Sequence, residues 1–307
     1  MRLCGFAGTD PLVARLVRCL GTLANGFPKS RKAANEESAA RHSRNALLVE
    51  FYELQFALRT VNITLLNFDT LDSTNTEALR QARLGADEGL CIVASQQTAG
   101  RGRHGRTWVS EKDAGLYFSI VLRPKLATRF LPLITLMTGV AVHETLAEFG
   151  ATADIKWVND VLVNDRKISG ILAETAETPN GVAVVVGVGI NLRSDSIAAD
   201  LDGTATSIED ATGHKMGAAH VAQRLTTQLS HWYAVLNEEN GPAKITDAWR
   251  QRSSYFSGKR VRVVLENETI LGVTDGLEPN GALRVRRDDE SLAVIHAGDV
   301  EQLRSAT

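Results

Sequence analysis

Residues 94–108 read ASQQTAGRGRHGRTW, and residues 100–105 within them fit the pattern G-x-G-x-x-G. In a dinucleotide-binding fold this pattern follows a strand and opens a helix. Here LCIVASQ, at 90–96, is typical of a strand, but GLYFSIVL, at 115–122, is an aromatic and β-branched run that predicts a second strand. The glycines therefore join two strands, which argues against a dinucleotide-binding turn.

A glycine-rich loop between two strands also covers ATP in protein kinases, but this chain contains neither H-R-D nor D-F-G. The loop is nevertheless strongly basic, with four such residues close together: Arg101, Arg103, His104 and Arg106. Glycines let backbone N–H groups approach a ligand closely, and guanidinium groups bind phosphate or carboxylate. The stretch therefore predicts a loop that closes over an anion.

The composition predicts a globular protein of about two domains, with 307 residues, 44% hydrophobic and 23% charged. A formal net charge of −2 gives no general attraction to nucleic acid, so anion binding must be local. The three cysteines, Cys4, Cys19 and Cys91, form no C-x-x-C pair, which favours a reducing compartment and argues against a zinc site. We predict a cytoplasmic protein without a membrane span or a secretory signal, because charged residues interrupt the apolar runs.

The first 45 residues contain one short apolar patch followed by a polar, charged and Ala-rich stretch. Such a composition predicts a poorly ordered tail, 1–45, with its basic residues solvated. From 46 to 62 apolar residues recur at helical spacing and predict a leader helix. It opens a predicted catalytic domain, 46–252.

The catalytic domain alternates predicted strands and helices. A strand at 63–69 precedes a helix whose residues 74–77 fit a capping box and which Gly85 ends. A buried helix is predicted at 130–149, where His143-Glu144 does not complete H-E-x-x-H because residue 147 is alanine. A strand, a turn at Asn164-Asp165 and a returning strand follow over 154–175, then an interior strand at 182–192 and helices at 218–238 and 243–252. This order predicts an α/β fold, a mixed sheet with flanking helices.

Residues 253–307 differ in character. Short alternating segments separated by turn residues predict a small C-terminal β-barrel of about 50 residues.

Five motifs in this order resemble those of biotin protein ligases: DSTN at 72–75, QTAGRGRHGRTW at 97–108, KWVND at 156–160, DRKISGILAE at 165–174 and VGVGINL at 186–192. The resemblance covers residues 63–305. It implies a sheet related to the class II aminoacyl-tRNA synthetase core and an SH3-like C-terminal barrel. It also implies a reaction in two steps, in which biotin and Mg-ATP give biotinyl-5′-AMP and a lysine of a biotin carboxyl carrier domain then takes the biotin.

The resemblance implies the biotin-binding residues, which are Ser73, Thr74, Asn75, Gln97, Gly100, Arg101, Gly102, Arg103, Lys167 and Gly170. Three of these also have plainer interpretations. Thr74 fits a helix cap, Gln97 an ordinary surface position, and Lys167 an exposed hairpin beside Arg166. The two-sided amide of Gln97 suits a ureido ring, which both donates and accepts hydrogen bonds.

For ATP the implied residues are Arg103, Arg106, Trp108, Lys156, Asn159, Asp160 and Asn191. Asn191 also fits a simple turn asparagine. The implied catalytic groups are Lys167, Arg101 and Arg103, whose charges offset the negative charge of the reacting phosphate and of departing pyrophosphate. Mg²⁺ is expected to be held mainly by ATP phosphates, with its protein ligands unknown. Val158 stands where the family usually has proline, a change in backbone rigidity that removes no functional group.

Three alternatives remain open at this point. Some biotin ligases carry an N-terminal winged helix and repress transcription, but no wing hairpin is recognisable in residues 1–60, so we expect no DNA binding. A lipoate-type ligase has related chemistry with different motifs. A ligase-like biotin binder without catalysis would be expected to lose Lys167 or the loop arginines, which are present. Family members occur as monomers and as homodimers, and the sequence does not decide between them.

Overall fold

A computed structural model describes residues 61–197 and 203–302 of the chain. They belong to one compact unit, Thr60–Thr307. The predicted tail at 1–45 and all but the last two residues of the predicted leader helix lie outside the described residues. Residues 61–63 have no regular secondary structure and lead directly into the first strand.

A seven-stranded mixed sheet forms the centre of the molecule, as predicted. Its strands are β1 (Thr64–Leu71), β2 (Leu90–Gln97), β3 (Gly115–Leu122), β4 (Asp154–Lys156), β5 (Asp160–Val163), β6 (Arg166–Thr178) and β7 (Gly181–Asn191). Their order across the sheet is β1-β2-β3-β7-β6-β5-β4. Strands β1 and β2 are parallel and all other neighbours are antiparallel. The apolar run of β7 therefore lies in the interior, between β3 and β6, as predicted.

Helices cover both faces of this sheet. They are α1 (Thr74–Arg83), α2 (Leu133–Glu148), α3 (Ile208–Thr212), α4 (Ala218–Leu236) and α5 (Gly241–Arg250). Small residues of α1 pack on one face, in a cluster with Ile92 and Val121. Helix α2 is buried nearly all round and packs with α4 and α5 on the opposite face, in the larger core. Both faces of the sheet are therefore covered by helices.

One stretch of the described residues, Thr128–Glu148, is long and apolar enough to cross a membrane by length and composition alone. It contains α2, whose side chains form the centre of the larger core. A core helix of a globular protein has the same composition, so this stretch is explained by its packing.

The predicted capping box is wrong. Ser73, with extended backbone angles, is the N-cap of α1, and no side chain caps the helix. Thr74 is already helical, and its hydroxyl donates to the Oε1 atom of Gln97 at 3.1 Å. Glu77 instead binds Arg80 and Gln81. A tertiary partner has therefore taken the hydroxyl that the local pattern assigned to the cap.

The hairpin over 154–178 is partly as predicted. Its turn is at Asn164 and Asp165, whose φ angles of 51° and 59° suit the tight turns that join antiparallel strands. The strand before it is not continuous, because β4 folds back on β5 through residues 157–159. The peptide bond between Trp157 and Val158 is cis.

A second, five-stranded antiparallel sheet follows, consistent with the predicted SH3-like barrel. Its strands are β8 (Ser257–Val264), β9 (Thr269–Leu277), β10 (Leu283–Arg287), β11 (Leu292–Ile295) and β12 (Asp299–Gln302), in the order β11-β10-β9-β8-β12. Its inner residues belong to the same apolar cluster as α2 and α5. The indole N–H of Trp157 also donates to the carbonyl of Gly281 at 3.0 Å. These contacts fix β12 beside the glycine-rich loop.

Candidate active site

A cavity of about 260 Å³ opens where the loop 100–108 meets the strand ends of the main sheet. Most of the residues singled out by sequence line it: Ser73, Thr74, Asn75, Gln97, Arg101, Gly102, Arg103, Arg106, Trp108, Asn159, Asp160, Lys167, Gly170 and Asn191. Gly100 and Lys156 do not. Residues that are up to 118 positions apart in the chain, from Ser73 to Asn191, therefore share one site.

Gly100 has a different place, at the base of the loop. It is buried, and its carbonyl accepts the N–H of Trp108 at 3.0 Å. A Cβ atom there would lie 2.3 Å from the carbonyl oxygen of Trp108 and 2.7 Å from the hydroxyl of Ser110. Glycine at this position lets the two ends of the loop close against each other.

One end of the cavity is a chain of hydrogen bonds centred on Gln97. Its Oε1 atom accepts from the backbone N–H of Thr74 at 2.8 Å as well as from the Thr74 hydroxyl. Its Nε2 atom donates to the hydroxyl of Ser110 at 2.8 Å. These bonds fix which way the amide points. The alternative interpretation of Gln97, as an ordinary surface residue, therefore does not fit.

Asn75 lies beside this network with every polar atom engaged. Its Nδ2 atom donates to the carbonyl of Leu172 at 3.1 Å and to Oε2 of Glu174 at 2.8 Å. The hydroxyl of Ser119 lies 2.6 Å from its Oδ1 atom. A Cβ atom at Gly187 would lie 2.1 Å from that oxygen, so the glycine makes room for the amide.

The loop forms a compact turn over the cavity. Arg101 pairs with Thr107 in an isolated bridge, and the N–H of Gly102 donates to the carbonyl of Arg106 at 2.7 Å. At the tip, His104 has a φ angle of 53°. The two sides of the loop therefore pair as in a small hairpin, and Arg101 and Arg106 bind carboxylates of the surrounding sheets.

Trp108 ends the loop and lies on the floor of the cavity. Cβ atoms at Gly189 and Gly170 would lie 2.4 Å and 2.8 Å from its ring. Its indole N–H is buried without a hydrogen-bond partner. The ammonium of Lys167 lies 5.5 Å from the ring centroid. Two glycines of neighbouring strands therefore form a shallow slot for a flat ring.

Three carboxylates pair with the cations of the cavity. Glu174 binds Arg101, with a closest separation of 2.7 Å. Asp299 of β12 binds Arg106 and lies 3.8 Å from Arg103. The C-terminal sheet thus supplies a carboxylate to the loop arginines.

The third pair joins Lys167 and Asp160. The Nζ atom of Lys167 lies 2.7 Å from Oδ1 of Asp160, and that of Lys156 lies 3.9 Å from its other oxygen. Among the described residues, Lys156 is thus linked to the cavity through Asp160. Lys167 is also fixed through its backbone, which exchanges hydrogen bonds with residues 204 and 206.

Arg103 is the most enclosed of the loop arginines. Its guanidinium donates to Oδ1 of Asn159 at 2.9 Å and to the carbonyl of Gly298 at 3.3 Å. Burial lowers the pKa of the guanidinium, and the charges of Asp299 and Asp160 oppose that shift. A cation held in a partly dry site interacts strongly with an anionic ligand.

Asn191, at the end of β7, donates from Nδ2 to the carbonyl of Thr206 at 3.0 Å. Its amide therefore braces the neighbouring turn while its side chain lines the cavity. Cys91, by contrast, is fully buried in β2, and burial raises the pKa of its thiol to about 12. It does not line the cavity and is a core residue.

Sequence reasoning missed Ser119, Glu174 and Asp299. Glu174 stood within the motif at 165–174, and Ser119 is the polar residue in an otherwise apolar strand. Asp299 gave no signal, because its contact with Arg106 spans 193 positions of the chain.

Comparison with known proteins agrees with this geometry. Residues 67–191 match the model of the biotin/lipoate A/B protein ligase family, and residues 256–302 match the biotin protein ligase C-terminal domain. Over 256 residues the chain is 34% identical to the bifunctional ligase/repressor BirA of Bacillus spizizenii, covering 81% of this chain and 78% of that protein. The chain belongs to the biotin protein ligase family.

Two further members of the family show how far the likeness extends. The biotin–[acetyl-CoA-carboxylase] ligase of Mycobacterium tuberculosis is 34% identical over 242 residues, 76% of this chain and 86% of that protein. The biotin protein ligase of Aquifex aeolicus, solved in complex with biotin and ATP, superposes with a TM-score of 0.69 at 28% identity. That superposition covers 79% of this chain and 99% of the Aquifex ligase, so the likeness includes both sheets.

Proposed function

We propose that the protein is an ATP-dependent biotin ligase, which activates biotin as biotinyl-5′-AMP and transfers it to a lysine of a biotin carboxyl carrier domain. The observation that carries the proposal is that neutral polar groups and charged groups lie at opposite ends of one cavity. Neutral donors and acceptors around Gln97 and Asn75 lie at one end, and cations including Lys167 and Arg103 lie at the other. Biotin has the matching order, a ureido ring and a carboxylate joined by an apolar chain.

In the first step the biotin carboxylate attacks the α-phosphorus of ATP. A bond forms between a carboxylate oxygen and phosphorus, and the bond to the pyrophosphate oxygen breaks. Lys167 offsets the repulsion between the two anions, and Arg101 and Arg103 stabilise the charge that grows on the phosphate oxygens. Lys167 and Arg103 exchange their present carboxylate partners for the substrate. Arg101 keeps its pair with Glu174 and reaches the phosphate oxygens with its remaining N–H groups.

The biotin end is assigned to Ser73, Thr74, Asn75 and Gln97, together with the loop residues up to Arg103 and with Lys167 and Gly170. The nucleotide end is assigned to Arg103, Arg106, Trp108, Asn159, Asp160 and Asn191, with Lys156 acting through Asp160. The slot that Gly170 and Gly189 form under Trp108 supports the assignment of the nucleotide end. The indole of Trp108 there offers a surface on which an adenine ring can stack, beside the cations that bind phosphate.

In the second step the neutral amine of a carrier lysine attacks the acyl carbon of the mixed anhydride. An amide bond forms, the bond from the acyl carbon to the phosphate oxygen breaks, and AMP leaves. The thiol of Cys91 takes no part, because it is buried and its pKa is raised.

The phosphate oxygens of ATP would hold most of the coordination of a bound Mg²⁺. Asn159 and Asp160 bring hard oxygen atoms to the cavity, the ligand type that Mg²⁺ prefers. Within residues 61–197 and 203–302, no group of three or more His, Cys, Asp and Glu side chains is placed to hold a metal by itself. When bound, the ion would neutralise phosphate charge.

We also propose that the reaction takes place in the cytoplasm, since the cysteine pattern favours a reducing compartment.

The test is incubation of the full chain with labelled biotin, ATP, Mg²⁺ and an apo carrier domain, with lipoate and octanoate as competing acids. We expect label on the carrier lysine, release of pyrophosphate in the absence of carrier, and no transfer of lipoate. Transfer of lipoate or octanoate in preference to biotin would identify a lipoate-type ligase. Binding of biotin without pyrophosphate release would identify a non-catalytic binder.

A further inference from the structure

Glu174 lies on β6 beyond Gly170 and Leu172, which line the cavity. Alternate residues of a strand face the same side, so the three form one row. The carboxylate is half-buried at the rim, with 26% of its side chain exposed. It contacts two parts of the site that come from different segments of the chain.

Towards the interior, Glu174 binds Asn75. Its Oε2 atom accepts from Nδ2 of Asn75 at 2.8 Å. The same amide is fixed on its other side by Ser119 and lies against the backbone at Gly187. An amide with all of these bonds has one orientation, and Glu174 supplies the only charged partner that it has among the described residues.

Towards the solvent, Glu174 binds the guanidinium of Arg101 through two bonds, of 3.1 Å and 2.7 Å. Such paired bonds fix the plane of a guanidinium as well as its position. Arg101 begins the turn of the loop and bridges to Thr107 on its other side. The Glu174 carboxylate therefore anchors the base of the loop, whereas Asp299 binds the loop at a separate point, through Arg106.

We propose that Glu174 is a positioning residue that couples the biotin end of the cavity to the loop 100–108. The inference rests on the proposed function, in which Asn75 lies at the ureido end and the loop covers the adenylate. Biotin that orders Asn75 also orders Glu174, and the carboxylate then holds Arg101 in the closed position. A loosened loop releases the adenylate before a carrier lysine arrives.

Two substitutions separate the two contacts of Glu174. Glu174→Gln keeps one acceptor oxygen for Asn75 and removes the charge that binds Arg101. Glu174→Ala removes both contacts. Glu177→Gln is the matched control, because Glu177 is an exposed glutamate further along the same strand.

The first measurement is dissociation of preformed labelled biotinyl-5′-AMP, chased with unlabelled biotin and ATP. Because the pair is partly exposed, we expect Glu174→Gln to release the adenylate about two- to fivefold faster than the parent, with the KM for biotin unchanged. Glu174→Ala should show the same release and also a KM for biotin raised about fivefold, since an ordering bond to Asn75 is lost. Glu177→Gln should match the parent in both.

The second measurement asks whether Glu174 acts through Arg101. In an Arg101→Gln background, Glu174→Gln should no longer change the release rate, because the pair is already broken. Unchanged release in Glu174→Gln, or an equal effect with and without Arg101, would overturn the proposal.

A third measurement does not depend on catalysis. Trypsin cleavage after Arg103 and Arg106 in the ligand-free full chain, mapped by mass spectrometry, should be faster in Glu174→Gln than in Glu177→Gln. Equal rates would again count against Glu174. Failure of the parent protein to form any adenylate would instead refute the proposed function and leave this comparison able to decide the role of Glu174.

Discussion

Lys167 is the cation whose removal most directly tests the chemistry. Its ammonium is held 2.7 Å from Asp160, and a single well-placed charge at a phosphoryl-transfer transition state is worth about 3 kcal/mol. We expect Lys167→Ala to lower biotinyl-5′-AMP formation by about two orders of magnitude or more, with the fold intact. Pyrophosphate release and circular dichroism measure the two.

Lys112→Ala is the control for that substitution. Lys112 also pairs with an aspartate, Asp69, at 2.8 Å, but it does not line the catalytic cavity. It should therefore retain parental activity. Near-parental pyrophosphate release by Lys167→Ala would remove Lys167 from the reaction.

Gly189 tests the floor of the cavity. A Cβ atom at this position would lie 2.4 Å from the indole of Trp108, too close for any real contact. We expect Gly189→Ala to displace the indole, change the tryptophan fluorescence and weaken binding of the adenylate about tenfold, because a side chain held by the loop must move. Gly217→Ala is the control, since nothing lies within 4 Å of the added atom. Parental binding by Gly189→Ala would show that Trp108 does not need this slot.

At the scale of single residues, the motifs predicted which side chains meet but not how each is held. Thr74 illustrates the limit. The local pattern assigned its hydroxyl to a helix cap, whereas the hydroxyl binds Gln97, 23 positions away. Contacts of this range, like that of Asp299 with Arg106, depend on how sheets pack and leave no local periodicity in the sequence.

At the scale of elements, long apolar runs were predictable and short ones were not. Strands β3 and β7 are continuous apolar segments, and both are central in the sheet. Strand β4 has three residues, too few to show a period, so its fold-back onto β5 was missed. The turn at Asn164 was predictable because its residue types tolerate a positive φ.

Residues 98–108, which contain the loop 100–108, are the segment that we expect to act as a lid. Exposed ion pairs such as that of Arg106 with Asp299 stabilise by about 0–1 kcal/mol each, whereas ordering costs about 1–2 kcal/mol per residue. Ligand contacts must therefore supply the difference. The loop should be protected from protease when biotin and ATP are bound, and less so without them.

Arg103→Gly tests the lid. It removes the bonds to Asn159 and to the carbonyl of Gly298, and it adds chain entropy. We expect this variant to make biotinyl-5′-AMP but to release it faster, so that lysines of bystander proteins become labelled. The measurement is a chase of preformed labelled adenylate, alongside labelling of an added bystander protein.

His104→Gly is the control within the same loop. Its φ of 53° suits glycine, so the substitution adds a glycine without removing a cation that anchors the loop. It should release the adenylate at nearly the parental rate. Equal release by Arg103→Gly and the parent would show that the loop is not a lid.

At the scale of the whole molecule, the cavity-lining residues that the structure describes run from Ser73 to Asp299. Neither matched family region extends before residue 67. We therefore expect deletion of residues 1–45 to leave adenylate synthesis within about twofold of the parent, since the composition of that segment predicts little packed core. Pyrophosphate release and thermal unfolding are the measurements. Loss of folding in the truncated chain would contradict the prediction.

Charge balance supports the last prediction, on DNA. The chain carries 34 basic and 36 acidic side chains, and the cavity arginines described here are paired with Glu174 and Asp299. Duplex binding depends on a basic surface that releases counterions, with an affinity that falls steeply as salt rises. We therefore expect no sequence-specific duplex binding at roughly 0.15 M salt, with or without biotin and ATP.

DNA binding needs a direct test because a relative that is 34% identical to this chain is a ligase/repressor. Gel-shift titrations at two salt concentrations measure it, using a pool of random duplexes from which any bound sequence is recovered. A retarded band that biotin and ATP strengthen, and that deletion of residues 1–45 abolishes, would make the N-terminal segment a DNA-binding element and the protein bifunctional.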